Sequence, residues 1–63
     1  MNNARKLRNL YRLTQKDVSK KINYPKPLYQ AFENEKYDMP EDKLKLLAEL
    51  YNVSIDYILN KKQ

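Results

Sequence analysis

The chain has 63 residues and a formal net charge of +5, which is enough for one small domain with an economical core. It has no cysteine and no histidine, which excludes disulfides, thiolate metal sites and chemistry that depends on imidazole. No apolar run approaches the ~20 residues of a membrane span, and the first residues lack the apolar core of a signal peptide. We therefore expect a soluble protein that is not exported and has no membrane partner.

The basic residues are concentrated in the first half of the chain. Residues 1–32 hold eight lysines and arginines against one acidic residue, Asp17, which gives +7. Residues 33–63 hold five lysines against seven acidic residues, which gives −2. A one-sided positive field in a small domain is typical of proteins that bind nucleic acid, although a solvated lysine-rich surface gives the same count.

The composition favours an all-helical fold, because the chain has no glycine, three prolines and many Leu, Lys and Glu residues. The first predicted helix covers about residues 4–12, and one of the two asparagines before it serves as the cap. Its apolar stripe consists of Ala4, Leu7, Leu10 and Tyr11.

The second predicted helix has clear signals at both ends. Thr14 is a suitable N-cap, and Asp17 three residues later completes the pattern of a capping box. Val18 and Ile22 have the spacing of core residues, and Asn23 suits a left-handed helix end.

The third predicted helix begins at Lys26 or Pro27 and ends near residue 33 or 34. Pro27 suits the first helical position, because the N–H that proline lacks is unpaired there in any residue. Tyr29 and Phe32 are three residues apart and are predicted to face inward. Leu28 lies on another face. There it either extends the core or, in a domain that binds DNA, touches a thymine methyl group.

Two more helices are predicted in the second half. Pro40 opens the fourth, with Glu41 and Asp42 near its positive end, and Asn52 ends it. Ser54 caps a short fifth helix, and residues 61–63 are predicted to be a frayed tail. The apolar residues of the two helices are Leu44, Leu46, Leu47, Leu50, Tyr51, Ile55, Ile58 and Leu59.

The joint between the second and third helices consists only of Asn23, Tyr24 and Pro25. Two helices joined by a three- or four-residue turn form a helix-turn-helix unit. The steep and rigid crossing lets one helix brace against a sugar-phosphate backbone while the other enters the major groove, which is wide enough for one helix.

Two segments resemble the phage repressor and Cro-like helix-turn-helix domains of the XRE family. The pattern Gln, apolar, apolar, polar, apolar, apolar, Glu, Asn is matched by Gln15, Val18, Ile22, Lys26, Tyr29, Phe32, Glu33 and Asn34. The segment LYNVSIDYILN, residues 50–60, is similar to the closing segment of that family. The resemblance covers roughly residues 7–60 and implies a compact five-helix bundle of the lambda-repressor-like type. The chain is then a single domain, residues 1–63, with an ordered core of about residues 3–60.

The resemblance also implies roles for individual residues. The residues expected to face base edges are Lys26, Pro27, Leu28, Gln30 and Ala31. Contacts to the DNA backbone are expected from Gln15, Lys16, Asn34, Lys36 and Tyr37. Arg8 and Glu33 would form a structural ion pair between the first helix and the recognition helix. A homodimer interface, formed free or only on DNA, is expected at Val53, Ile55, Asp56, Leu59 and Asn60.

The chain departs from the family pattern at several positions. Glycine is usual where Asn23 and Glu35 stand, and a small residue, often alanine, where Ser19 stands. A left-handed conformation at Glu35 costs ~1 kcal/mol or more, and its charge lies near the expected phosphates. The other tyrosines are predicted to be core or half-core residues with the hydroxyl turned to water: Tyr11, Tyr24, Tyr29, Tyr51 and Tyr57.

The leading functional hypothesis is a cytoplasmic, bacterial or phage-encoded regulator of transcription, expected to be a repressor that binds a palindromic double-stranded DNA operator. The alternative is a protein-interaction module of the same fold, of the antitoxin or anti-repressor type, with DNA binding secondary. The acidic stretch from Glu33 to Asp42 motivates that alternative. No enzymatic activity, cofactor, metal or small-molecule ligand is predicted, since no carboxylate pair lies in a recognisable motif.

Overall fold

The structure, a computed structural model, describes residues 1–61, which form five α-helices. These are α1 (Ala4–Leu10), α2 (Gln15–Lys21), α3 (Lys26–Glu33), α4 (Glu41–Tyr51) and α5 (Ile55–Leu59). No strand occurs in this part of the chain, so the predicted all-α fold is confirmed. The last two residues of the predicted tail, and with them the C-terminal domain boundary, lie outside the described residues.

One core holds the five helices together. Tyr29 of α3 and Tyr51 of α4 are the largest of the fully buried side chains, and Met39 of the α3–α4 loop is also buried. The buried apolar residues come from every helix: Ala4, Leu7, Val18, Ile22, Tyr29, Phe32, Met39, Leu44, Leu47, Tyr51 and Ile58. Both inward-facing residues predicted for α3 are among them.

The apolar stripe predicted for α1 is wrong at its end, because Leu10 is 72% exposed. At about 100° per residue, Leu10 is turned by roughly 120° from Ala4, whereas Leu7 and Arg8 flank Ala4 on either side. The inward position that completes the face is therefore taken by the charged Arg8. The helix also stops at Leu10, two residues earlier than predicted.

The starts of α2 and α3 follow local rules. Thr14 Oγ1 accepts from Asp17 N at 3.0 Å and Asp17 Oδ2 accepts from Thr14 N at 3.0 Å, which confirms the capping box. In α3, Lys26 is the first helical residue and Pro27 the second. Proline fits there as well as at the first position, because the N–H groups of the whole first turn have no intrahelical partner.

All five helices in the described residues end in the same way. A left-handed residue follows each helix as the first or second residue after its end, and these residues are Arg12, Asn23, Glu35, Asn52 and Asn60. The next N–H then donates to the carbonyl five residues earlier: Leu13 to Arg8, Tyr24 to Ser19, Lys36 to Ala31, Val53 to Ala48 and Lys61 to Asp56. This is the Schellman motif, which usually employs glycine. The left-handed Arg12, with a φ of 58°, was not predicted from the sequence.

Replacing Arg12 by glycine should stabilise the protein. Arg12→Gly should raise the free energy of unfolding by about 1 kcal/mol, because glycine has no Cβ to clash in the left-handed region. In a domain of this size that gain corresponds to a rise of roughly 4–8 °C in Tm. Arg12→Ala, which removes the guanidinium but keeps the Cβ, is the matched control and should give no gain. Thermal unfolding followed by circular dichroism measures both, and equal Tm values for the two variants would contradict the expectation.

Candidate nucleic-acid interface

The turn between α2 and α3 is fixed by hydrogen bonds on both sides. Asn23 is left-handed, and Tyr24 N donates to Ser19 O at 2.9 Å. From α4, Lys43 Nζ donates to Ile22 O at 3.3 Å and so satisfies a carbonyl at the end of α2. Because α2 and α3 also contact each other directly, α3 leaves the turn at a set angle.

The outward face of α3 carries the residues predicted to read bases. Lys26, Pro27 and Gln30 are exposed, whereas Leu28 and Ala31 are half-buried. Leu28 is not among the half-buried apolar residues that pack against the core, and its contact with a thymine methyl group stays a prediction. None of the three exposed side chains donates or accepts a hydrogen bond within residues 1–61, which leaves them available for a ligand.

The predicted backbone contacts flank α3 on two sides. Gln15 and Lys16 line a shallow depression together with Lys26. Lys36 and Tyr37 line a second, open cleft together with Leu28, with a volume of about 750 Å³. The structure thus brings Gln15 and Lys16 beside Lys26, and Lys36 and Tyr37 beside Leu28.

Most of the predicted backbone contacts are exposed. Lys16, Lys36, Asn34 and Tyr37 are exposed, and Gln15 is half-buried. The residues predicted for a dimer interface lie elsewhere, in and around α5. Of these, Val53, Ile55 and Leu59 are half-buried against the core, while Asp56 and Asn60 are exposed.

Behind the surface, the carboxylate of Glu33 in α3 is contacted by side chains of α1 and α2. Its side chain is 0% exposed. Arg8 Nε donates to Oε2 at 2.7 Å and Arg8 Nη2 donates to Oε1 at 3.2 Å. Gln15 Nε2 donates to Oε1 at 3.2 Å, and Arg5 Nε lies 3.5 Å from the same oxygen. We call these four residues the Glu33 cluster.

The Glu33 cluster keeps its carboxylate ionised despite burial. Burial by itself raises the pKa of Glu33, but the hydrogen bonds and charge of Arg8, with the polar groups of Tyr29 and Gln15, outweigh it and hold the pKa below its ordinary value. The hydrogen bond to Glu33 in turn raises the pKa of Arg8. The pair is therefore charged on both sides at neutral pH, and Arg8 Nη1 also donates to Leu13 O at 3.0 Å.

Two core tyrosines differ from the prediction that their hydroxyls face water. The hydroxyl oxygens of Tyr29 and Tyr51 are buried and have no hydrogen-bond partner within ordinary distance and angle. Burial raises the pKa of both phenols, that of Tyr51 to about 12. The ring of Tyr11 lies 5.1 Å from that of Tyr51, but its hydroxyl donates to Tyr51 O at 3.0 Å, so the predicted orientation toward water is wrong for Tyr11 too.

Sequence reasoning missed two residues near this surface, Arg5 and Lys43. Arg5 Nη2 donates to Asn34 Oδ1 at 2.8 Å, across 29 positions of the chain. Lys43 reaches Ile22 O across 21 positions. The one available sequence signal was for Arg5, because its spacing of three from Arg8 places both on the same side of α1.

Other kinds of site receive no support from the structure. Within residues 1–61, no three His, Cys, Asp or Glu side chains come close enough together to hold a metal ion. None of the helices in that range has the length and apolar character needed to cross a bilayer.

The fold and the α2–turn–α3 arrangement define a helix-turn-helix domain. The sequence profile of the family described as "Helix-turn-helix" matches residues 5–58. The chain therefore belongs to this family, of the XRE type that its sequence resembles.

A curated relative supports the same assignment. The chain is 46% identical over 55 residues to a protein of Bacillus subtilis (strain 168) named "Uncharacterized HTH-type transcriptional regulator YobD". The aligned part covers 87% of this chain and 49% of the relative, so the chain spans about half the length of that protein. No solved structure matches the chain at a significant level.

Substitution of Glu33 should reveal how strongly the cluster holds the fold. Glu33→Gln should lower the free energy of unfolding by roughly 3 kcal/mol at neutral pH, because it leaves the largely buried Arg8 guanidinium without its carboxylate. The folded-state pKa of Glu33 is below the ordinary value of 4.5, so the ionised form stabilises the fold above that pH. The wild type should therefore lose stability as the pH falls below 4.5, and Glu33→Gln should lose less.

Urea unfolding at neutral pH and at about pH 3 measures this difference. Asp17, whose pKa is lowered by its hydrogen bonds to Thr14, contributes equally to both proteins and cancels in the comparison. The control is Glu49→Gln on the exposed side of α4, which should match the wild type at both pH values. If the free energy of unfolding fell by the same amount in the wild type and in Glu33→Gln between neutral pH and about pH 3, the role of the cluster would be contradicted.

Proposed function

We propose that the chain is a sequence-specific regulator of transcription that binds double-stranded DNA with α3 in the major groove. The observation that carries the proposal is the exposed face of α3, where Lys26 and Gln30 project without internal partners beside a rigid turn. The +7 charge of residues 1–32 supplies the attraction to a polyanion. The name of the Bacillus subtilis relative is consistent with this role.

Base choice in this proposal depends on polar and apolar side chains of α3. Gln30 can pair with an adenine through two hydrogen bonds, and Lys26 can donate to the acceptors of a guanine. Leu28 and Ala31 present apolar surface to a thymine methyl group, and Pro27 completes the contact face at the start of α3. Side chains of this kind supply choice among sequences, while backbone contacts supply most of the affinity.

Phosphate contacts are proposed from the residues that flank α3. Lys16 and Lys36 are exposed and positively charged, and Asn34 and Tyr37 offer neutral donors. Gln15 gives one of its two amide hydrogens to Glu33 and keeps the other for a phosphate. The negative Glu35 lies 3.5 Å from the amino group of Met1, which offsets part of its repulsion of DNA.

We further propose repression in the cytoplasm by occupancy of an operator, because a bound domain of this kind blocks a site without any additional activity. A single α3 reads only a few base pairs, so a homodimer on an approximate palindrome is proposed, with half-sites about one helical turn apart. The contact between the two copies is assigned to α5 and the turn before it: Val53, Ile55, Asp56, Leu59 and Asn60.

Alanine substitution on α3 tests the DNA-binding role. A pool of random duplexes is first selected with the wild type, and affinity for the selected site is then measured by fluorescence anisotropy. Gln30→Ala and Lys26→Ala should each weaken binding about tenfold, within the ~1–3 kcal/mol of a good base contact. Lys45→Ala, an exposed lysine of α4, is the matched control and should change affinity less than about twofold.

Two outcomes would contradict the proposal. One is the absence of duplex binding at low salt, or of any preference among sequences at moderate salt. The other is unaltered affinity in the folded double variant Lys26→Ala with Gln30→Ala. Either result would favour the alternative of a protein-interaction module, to which the acidic stretch from Glu33 to Asp42 points.

The homodimer has a separate test in the spacing of the half-sites. Sedimentation of the chain with a selected palindrome should show two copies bound cooperatively to one duplex. Inserting about five base pairs between the half-sites moves them to opposite faces of the helix and should abolish the cooperativity. Two copies that bind both duplexes independently would contradict a dimer on DNA while leaving the binding of single domains intact.

A further inference from the structure

Arg5, in the first turn of α1, contacts two consecutive residues at the end of α3. Its Nη2 donates to Asn34 Oδ1 at 2.8 Å, and its Nε lies 3.5 Å from Glu33 Oε1. Glu33 is itself bound by Arg8, so one side of the Arg5 guanidinium rests on a buried and hydrogen-bonded carboxylate. The Arg5 side chain is 57% exposed and Asn34 is exposed, so this contact lies at the protein surface.

The contact determines which end of the Asn34 amide faces outward. A side-chain amide carries one acceptor oxygen and one NH₂ donor on opposite sides of a planar group. Because Arg5 occupies the oxygen, the NH₂ group is directed away from Arg5. A phosphate oxygen only accepts hydrogen bonds, so it is attracted by the NH₂ group and repelled by the oxygen.

We propose that Arg5 is a positioning residue for DNA binding, which holds the Asn34 amide with its N–H groups directed to a phosphate beside α3. This inference rests on the proposed DNA-binding function and assigns Arg5 a role that differs from a direct phosphate contact. These two contacts require the planar guanidinium of arginine, because two of its nitrogens reach Glu33 and Asn34 separately. A lysine side chain has only one nitrogen.

A double-mutant cycle on the selected operator tests whether Arg5 acts through Asn34. Arg5→Ala and Asn34→Ala should each weaken binding about tenfold, the scale of one hydrogen bond to a charged group. In a protein that already carries Asn34→Ala, Arg5→Ala should weaken binding by a further factor of less than about two. Lys6→Ala, the neighbouring exposed residue of α1, is the control for a general loss of charge and should have little effect.

The salt dependence of binding separates positioning from direct contact. If Arg5 only orients Asn34, Arg5→Ala should leave the slope of log affinity against log salt unchanged. A direct ion pair of Arg5 with a phosphate would instead reduce the slope by roughly 0.9. Asn34→Asp should keep the acceptor for Arg5 and the fold, yet lose binding at least as strongly as Asn34→Ala. A reduced slope, additive single effects or retained binding in Asn34→Asp would each overturn the inference.

A readout on the free protein does not involve DNA. The ¹H–¹⁵N heteronuclear NOE of the Asn34 side-chain NH₂ should be high in the wild type and should fall in Arg5→Ala. The side chain of Asn9, which has no hydrogen bond within the described residues, should be mobile in both proteins and serves as the control. An Asn34 amide as mobile as that of Asn9 in the wild type would overturn the positioning role.

These experiments distinguish two failures. A wild type that binds no duplex would overturn the proposed function, and the role of Arg5 in binding would fall with it. A wild type that binds its operator while Arg5→Ala and Asn34→Ala act additively would overturn the role of Arg5 alone.

Discussion

The buried carboxylate of Glu33 is the constraint on which the geometry of this small domain depends. A carboxylate with no exposed surface requires positive partners and donors on its oxygens, because an unpaired buried charge is costly. Those partners come from α1 through Arg8 and Arg5, and from the first residue of α2 through Gln15. Since Glu33 is the last residue of α3, the relative placement of three helices follows from the satisfaction of one side chain.

The second constraint is that five sharp helix ends are made without glycine. Three of the five left-handed positions hold asparagine, which tolerates this conformation best among non-glycine residues, while Arg12 and Glu35 carry the larger strain. Each strained residue is held by the hydrogen bond from the next N–H to a carbonyl five residues earlier. The short connections that result restrict how adjacent helices can be oriented. They thereby define the orientation of α3 relative to α2.

The sequence allowed the helices to be predicted well, because their start signals are local. Thr14 with Asp17, Pro27 and Ser54 each mark a start within a few residues, and the structure has helices at those places. Leu10 was misjudged because it is turned by roughly 120° from Ala4, so that the charged Arg8 completes the inward face of α1 instead. The contacts of Arg5 and Lys43 could not be predicted, because they join residues far apart in the chain and leave no mark on local pattern.

The exposed residues of α3 and the Glu33 cluster differ in how freely they can vary during evolution. Substitutions at Lys26 or Gln30 break no side-chain hydrogen bond in the described part of the chain, so this face of α3 can change at little cost to folding. At Arg8 or Glu33, a single replacement that removes one charge leaves the other charge unmatched in the interior. Divergence within such a lineage should therefore alter the outward face of α3 long before it alters how the domain is built.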